Sequence, residues 1–497
     1  MLRKSKRFIA LLLSLVMIVS MVGCSNKTKP ADSEISPAAG DDAGITATTA
    51  PTQTAEPTEE ADATKNDTYQ AFDLGGRTIK VGLWWDYYYD SDNQDINDDP
   101  KLTNTETAQM KLDNVRRIEE KYNCKIDFVN LGWNGVINSI NTSIPAGTPE
   151  CDVYITNLQF SVPAAFAGLV YDLKDIALEG SDLFGKQSVI EPLEGLGGTY
   201  FFNEVGLPIG GVFMGYNRTM VEDLGLEDPQ QLYKDGKWTW EKFAELAKAG
   251  TQDTNKDGTN DTYGFSGAWN QMIDQLVQNN GGSIAGSETE GLSSKPVMEV
   301  LEFVNKLYNE DKSVRPWNQD DWDDNVNAFV SGKVLFWSAA AWLLKQQNDL
   351  AAENGGELSF DYGVVPYPIG PSGDGKLYSP PAGNMYMIPI GVEEPGKVLQ
   401  VMEEFLNWYD GDTSYRDDPT WFESCFQTEE DVQIAYDCYE NTKLDPWGAL
   451  SPYFDMGSTV FFPICVDKEQ TVSQAVEAAK PVLQGAIDYF RSAGKGE

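Results

Sequence analysis

The chain has 497 residues, 77 of them acidic and 37 basic, and it contains no histidine. That length is enough for two lobes with real cores. The net charge of −40 argues against nucleic acid and anionic headgroups as partners; it favours solubility and is compatible with calcium. Without histidine there can be no Ser-His-Asp or Cys-His nucleophile and no His-containing zinc site. Chemistry by a pair of carboxylates stays open.

Arg3, Lys4, Lys6 and Arg7 form a basic start, and Phe8 to Met21 is an apolar run broken only by Ser14 and Ser20. The run is short for a membrane span of roughly 20 residues. It ends in Met21-Val22-Gly23-Cys24, which reads as an export signal with a cleavage site. This order resembles a bacterial lipobox, which implies that residues 1–23 are removed and Cys24 carries lipid. A plain signal peptide and a one-pass signal anchor are the alternatives. Residues 25–68 lack aromatic side chains, and Ile35 and Ile45 are their only large aliphatics. Such a segment cannot bury enough apolar surface to offset its chain entropy, so residues 24–70 are expected to be an anchor and a solvated tether.

The body opens with Thr78 to Trp85, an apolar run that predicts a buried strand. Leu112, Val115, Ile118 and Tyr122 recur at helical spacing. Lys125 to Val129 is a second strand, Val136 to Ile144 a helix and Cys151 to Ile155 a third strand. This alternation predicts an α/β fold with a parallel sheet, in which ligands sit beyond the carboxyl ends of strands. Those ends are Trp84 to Tyr89 and Thr156 to Gln159. A second unit starts near Gly206. It has strands at Val212–Tyr216, Lys333–Trp337 and Tyr362–Val365, and helices at Trp240–Ala249, Met272–Gln278 and Pro296–Leu307. A further helix runs through Trp342. Asn384–Ile390 and a helix at Gly396–Tyr409 then read as a return to the first lobe. Cys124 and Cys151 lie in strand-like runs and are expected to be small core residues; a Cys425–Cys438 pair is left open.

Asp253, Asn255, Asp257 and Asp261 occupy positions 1, 3, 5 and 9 of an EF-hand-like loop, with Gly258 at 6 and Thr259 at 7. Calcium takes such oxygens, although Gly264 stands where a bidentate Glu belongs. The expectation is a weak structural site, with a dissociation constant on the order of 10⁻⁴ M. An Asx-turn loop without metal is the alternative.

Tyr216-Asn217-Arg218, Gly225 to Pro229, Lys237-Trp238-Thr239-Trp240, Ala328 to Val334, Pro366-Tyr367-Pro368 and Gln470 to Val476 together resemble extracellular solute-binding proteins of the maltose-binding type. The likeness runs over nearly all of residues 75–490. It implies a two-lobed periplasmic-binding-protein-like α/β fold with a hinge of crossing strands, closure around a sugar or oligosaccharide, and delivery to an ABC permease. By similarity, residues 71–208 plus 380–456 form the N-terminal lobe and 209–379 plus 457–497 the C-terminal lobe. Crossings fall near Val205–Gly211, Lys376–Asn384 and Tyr453–Val460. The resemblance places Trp85, Asp86, Asn157 and Gln159 on the first lobe's side of the cleft and Trp269, Gln271 and Trp342 on the second lobe's side. It puts Asn384 at a crossing, while Trp317 and Trp322 lie in a loop able to reach the cleft. Flat aromatics beside amides and carboxylates suit sugar faces and hydroxyl rims; for any single Trp, core packing is the alternative. The expected protein is a monomeric, non-enzymatic receptor on the outer face of the cytoplasmic membrane. A glycoside hydrolase, or a binder of peptides or other non-sugar solutes, remains an alternative.

Overall fold

The computed structural model describes residues 69–493 apart from 94, 97–104, 182, 184–188, 191–197, 204–210, 287, 320, 354–357, 381–383, 442, 444 and 451–452. The expected export signal, Cys24 and the expected tether up to residue 68 lie outside the described residues, as does the expected crossing at 205–210. Among the described residues, ten strands build two sheets: β1 Arg77–Leu83, β2 Cys124–Asn130, β3 Val153–Thr156, β4 Val189–Ile190, β5 Phe201–Phe202, β6 Phe213–Asn217, β7 Tyr263–Ser266, β8 Val334–Ala339, β9 Tyr362–Val365 and β10 Met385–Met387.

The first sheet has the order β2-β1-β3-β10-β5-β4 and the second β7-β8-β6-β9. β1 pairs in parallel with β2 and with β3, and β10 joins β3 antiparallel. Because β1 lies between β2 and β3, the chain turns one way for β2 and the other way for β3. The carboxyl ends of β1 and β3 therefore form the kind of switch point at which α/β sheets hold ligands. Gly82 in β1 is required by close packing, since a Cβ there would stand 2.9 Å from the Cys151 sulfur.

β3 and the second half of β1 are buried, whereas the edge strand β2 alternates buried with exposed or half-buried positions, as a strand covered on one face should. The Thr105–Tyr122 helix covers the first sheet and binds the returning Pro395–Leu406 helix. Its Lys121 reaches the fully buried Glu404 at 2.8 Å, and Arg117 and Tyr122 bond the same carboxylate.

The second sheet has its own apolar core, in which Phe213, Phe329, Trp337 and Tyr362 meet Phe422, Cys425, Ile434, Cys438 and Tyr439. The Glu429–Tyr439 helix is tied there by Asp431, which accepts from Arg218 Nη2 at 2.8 Å and from the Val364 N–H at 3.0 Å. This corrects the expected assignment of 380–456 to the first lobe: β10 and the Pro395–Leu406 helix pack there, whereas residues 422–439 pack on the second sheet. Cys124 and Cys151 are buried, and Cys425 and Cys438 are buried free thiols in one core. Residues 457–466 form a π-helix containing Pro463, followed by the long Val472–Ala493 helix. That last helix touches elements of both lobes, through Phe490 against Phe166 and through Gln484, which accepts from the Glu290 N–H. Among the described residues, no helix is long and apolar enough to cross a membrane.

Candidate functional site

Beyond the carboxyl ends of β1 and β3, three polar atoms are buried without a hydrogen-bond partner: Trp85 Nε1, Thr156 Oγ1 and Asn157 Oδ1. Asn157 caps the Leu158–Phe166 helix, yet its side chain makes no capping bond. An unspent buried polar atom costs about 1–3 kcal/mol, so three of them at one switch point are a sign of groups kept for a ligand. Trp85 is only 7% exposed and packs edge-on against Trp84 at 4.9 Å. Trp84 in turn meets Trp133 edge-on at 5.0 Å, and Trp133 meets Phe160 at 4.7 Å. Asp86 is exposed and accepts from Asn130 Nδ2 at 2.9 Å, while Gln159 is half-buried. The three tyrosines after Asp86 diverge: Tyr87 stacks on Phe128 at 4.2 Å, and Tyr89 is buried.

On the second lobe, Trp269 opens the Trp269–Asn279 helix and lies flat on Phe461 of the π-helix, at 4.5 Å and 8°. It is 9% exposed. Asn270 Oδ1, Gln275 Nε2 and Gln278 Oε1 on the same helix are buried and unbonded, and Gln271 is half-buried. Trp342 sits half-buried against the second sheet's core, and Trp317 against the main core. The Asn384 carbonyl accepts from Asn203 Nδ2 at 2.7 Å, next to β10. The Trp322 side chain lies outside the described residues. Thus Trp85, Asp86, Asn157 and Gln159 cluster at one strand end, and Trp269 and Gln271 share one helix. Met385 pairs with Thr156 across the β10–β3 ladder, so Asn384 adjoins the first group.

Two further features were missed in the sequence. Trp133 stands three residues beyond the carboxyl end of β2, where the strand-end rule would have found it. The other is a bridge between the lobes. The short Pro446–Leu450 helix packs on the first lobe's Leu158–Phe166 helix, while its Trp447 Nε1 donates to Asp274 Oδ1 of the second lobe at 3.2 Å. Asp445 accepts from the backbone of Ile284, Ala285 and Trp447 and from Ser283 Oγ. Burial, and then the neighbouring Asp445 charge, push the Asp274 carboxyl up to about 7; Asp445 is also raised, by burial.

The acidic loop folds on itself. Asp253 accepts from the N–H groups of Asp257 and Gly258, Asp257 from that of Thr259, and Asp261 from that of Thr254. Gly258 takes φ 91° and Lys256 φ 60°. These are Asx turns, and among the described residues no three acidic or thiol side chains are grouped to hold a metal. A cavity of about 370 Å³ next to the loop is lined by Asp261, Arg315, Asp324 and Lys333 among others. Arg315 already holds Asp324 there at 2.8 Å, and Tyr263 and Val334, the first residues of β7 and β8, also line the cavity, which puts it at the amino ends of those strands.

Two α/β lobes with open polar groups at a switch point define a two-lobed solute-binding fold. Residues 99–412 match the family model for bacterial extracellular solute-binding proteins. That is more than half of the chain, and the chain belongs to this family. Solved structures agree on the fold. The ABC substrate-binding protein Lmo0181 from Listeria monocytogenes, in complex with cycloalternan, is 15% identical with a TM-score of 0.57, over 83% of this chain and 99% of that one. An ABC transporter solute-binding protein from Thermotoga lettingae bound with α-D-tagatose is 17% identical with a TM-score of 0.55, over 83% and 100%. UgpB from Mycobacterium tuberculosis in complex with glycerophosphocholine is 16% identical with a TM-score of 0.55, over 77% and 96%. Comparison with curated protein sequences returns no match.

Proposed function

We propose that this chain is an extracytoplasmic receptor that binds a sugar or oligosaccharide between its lobes and delivers it, chemically unchanged, to an ABC importer. The observation that carries the reading is the set of unbonded atoms on Trp85, Thr156 and Asn157 at the switch point, walled by indole rings. Neutral donors and acceptors beside aromatic faces match hydroxyl rims and C–H faces of sugars. The cycloalternan and tagatose carried by two of the similar structures support it. The glycerophosphocholine of the third favours a second reading, a polar non-sugar solute. A thermal-shift screen of sugars, oligosaccharides and glycerophosphodiesters separates the two. Stabilisation by a sugar supports the first, and stabilisation by a phosphodiester alone supports the second.

The reading extends to the ends of the chain. Cys24 carries the lipid, the tether holds the body off the membrane, and one copy serves one importer. In the Asp253–Asp261 loop, calcium would compete with the N–H groups now held by Asp253 and Asp261, so its effect is small and structural.

A further inference from the structure

We propose that Asp274 and Asp445 form a proton-held latch between the lobes. One proton shared by the pair keeps the strap of the first lobe against the second lobe, and its loss lets the lobes part. The strap is the stretch that carries Lys443, Asp445 and the Pro446–Leu450 helix. It packs on the first lobe through the Leu158–Phe166 helix, and its side chains reach across to the second. The proposal does not depend on what the solute is.

Trp447 gives one N–H to each acid, the indole to Asp274 and the backbone to Asp445, both at 3.2 Å. Asp445 is 6% exposed and takes the N–H groups of Ile284 and Ala285 in the second lobe. Two neighbouring carboxylates repel when both are ionised. The bonds that resist this repulsion are the ones that hold the strap to the second lobe. The fold also has a place for the proton. Gln278 Nε2 donates to Asp274 Oδ2 at 2.9 Å, while Gln278 Oε1 is buried with no partner. A half-turn of that amide brings Oε1 to Asp274 Oδ2, where it accepts from the protonated acid. Asp274 and Trp447 are each only half-buried, so the proton exchanges with solvent.

The surrounding charges leave the response to this pair. Lys443 donates to the Gly282 carbonyl at 2.8 Å, and its charge opposes the rise of Asp274. The Trp269–Asn279 helix has no other ionisable side chain, and the Leu158–Phe166 helix has none. On the neighbouring Lys295–Asn309 helix, Glu299 is engaged by Asn280, Ser372 and Lys295. Glu290, bridged to Ala285, accepts from Ser293, and on the last helix Arg491 pairs with Glu288 and Lys480 with Glu477. Burial and the Asp445 charge push Asp274 up to about 7. The latched state therefore weakens about tenfold for each pH unit on the way up to 7, and no further above it.

Hydrogen exchange and small-angle scattering of the solute-free chain at pH 5.5 and pH 8.5 test this. At the higher pH the N–H groups of Ile284, Ala285 and Trp447 should lose protection by roughly tenfold or more, after correction for intrinsic rates. The radius of gyration should grow in the same samples. Asp274→Asn keeps an oxygen for Trp447 and gains an N–H for Gln278 Oε1, so it should stay latched at both pH values. Trp447→Phe should lower protection at both. Melting curves show which variants are folded. A wild type in which either readout stays unmoved overturns the proposal. So does a pH response that survives in folded Asp274→Asn or, should that variant not fold, in Trp447→Phe.

Discussion

Trp447 ties two acids on different elements, its indole N–H donating to Asp274 at 3.2 Å and its backbone N–H to Asp445 at 3.2 Å. Burial first, and Asp445 second, raise Asp274 to about 7 from an ordinary 3.8, against hydrogen bonds from Gln278 and Trp447 and the charge of Lys443. The folded state therefore binds more protons than the unfolded one between roughly pH 4 and pH 7. The stability this contributes is full below pH 4 and is lost as pH rises through 7. The melting temperature should be several degrees higher at pH 5.5 than at pH 8. Asp274→Asn should flatten that slope and raise the melting temperature at pH 8. The pair titrates as a unit, so Asp445→Asn should shift the slope too. An unchanged slope in both variants contradicts the coupling.

Asp431 is fully buried and bonded by Arg218, Gln230 Nε2 at 2.6 Å and the Val364 N–H. Removing Arg218 leaves a buried charge without its partner, which costs roughly 3 kcal/mol or more. Denaturant unfolding of Arg218→Ala should show a loss of that order. A loss below about 1 kcal/mol would place the pair with ordinary surface bridges.

Trp85 combines a packed ring with an unspent N–H. Trp85→Ala should cost about 3–5 kcal/mol of stability. Trp85→Phe should preserve most of the packing but weaken solute binding by about 1 kcal/mol or more, since one hydrogen bond to the ligand is lost. Unfolding free energy and calorimetry on the same samples separate the two effects. Unchanged affinity in Trp85→Phe makes Trp85 a core residue only.

Two expectations concern the chain's accessories. Mass spectrometry of membrane-fraction protein should find Cys24 at the mature N-terminus bearing lipid, and Cys24→Ser should release soluble protein with intact binding. Millimolar calcium should stabilise the body by no more than about 1–2 kcal/mol if its dissociation constant is near 10⁻⁴ M. Equal melting with calcium and with chelator removes calcium from the account.

The first sheet was legible because its strands carry buried apolar residues at strand spacing, as at Ile79, Val81 and Leu83 and at Cys124, Ile126 and Phe128. Trp85 and Asn157 followed from the rule that ligands gather at strand carboxyl ends. Trp133 was missed because the rule was applied to β1 and β3 and not to β2. The second-lobe position of the Glu429–Tyr439 helix could not be read locally. Its anchor is a set of bonds from Asp431 to Arg218 and Val364, far away in sequence, and no period in residues 429–439 points to them. The Asp274–Trp447 bridge joins residues 173 apart and was equally invisible. The acidic loop's spacing suggested calcium, and its carboxylates also accept backbone N–H bonds within the loop; the melting comparison with chelator decides between the two roles.

The central claim is that the two lobes close on a sugar without altering it. Small-angle scattering of the purified chain, with and without the best sugar from the screen, tests it most directly when the same samples are assayed for products by chromatography. The account predicts a smaller radius of gyration at saturation and the sugar recovered intact. An unchanged radius together with cleaved sugar would contradict it and point to an enzyme.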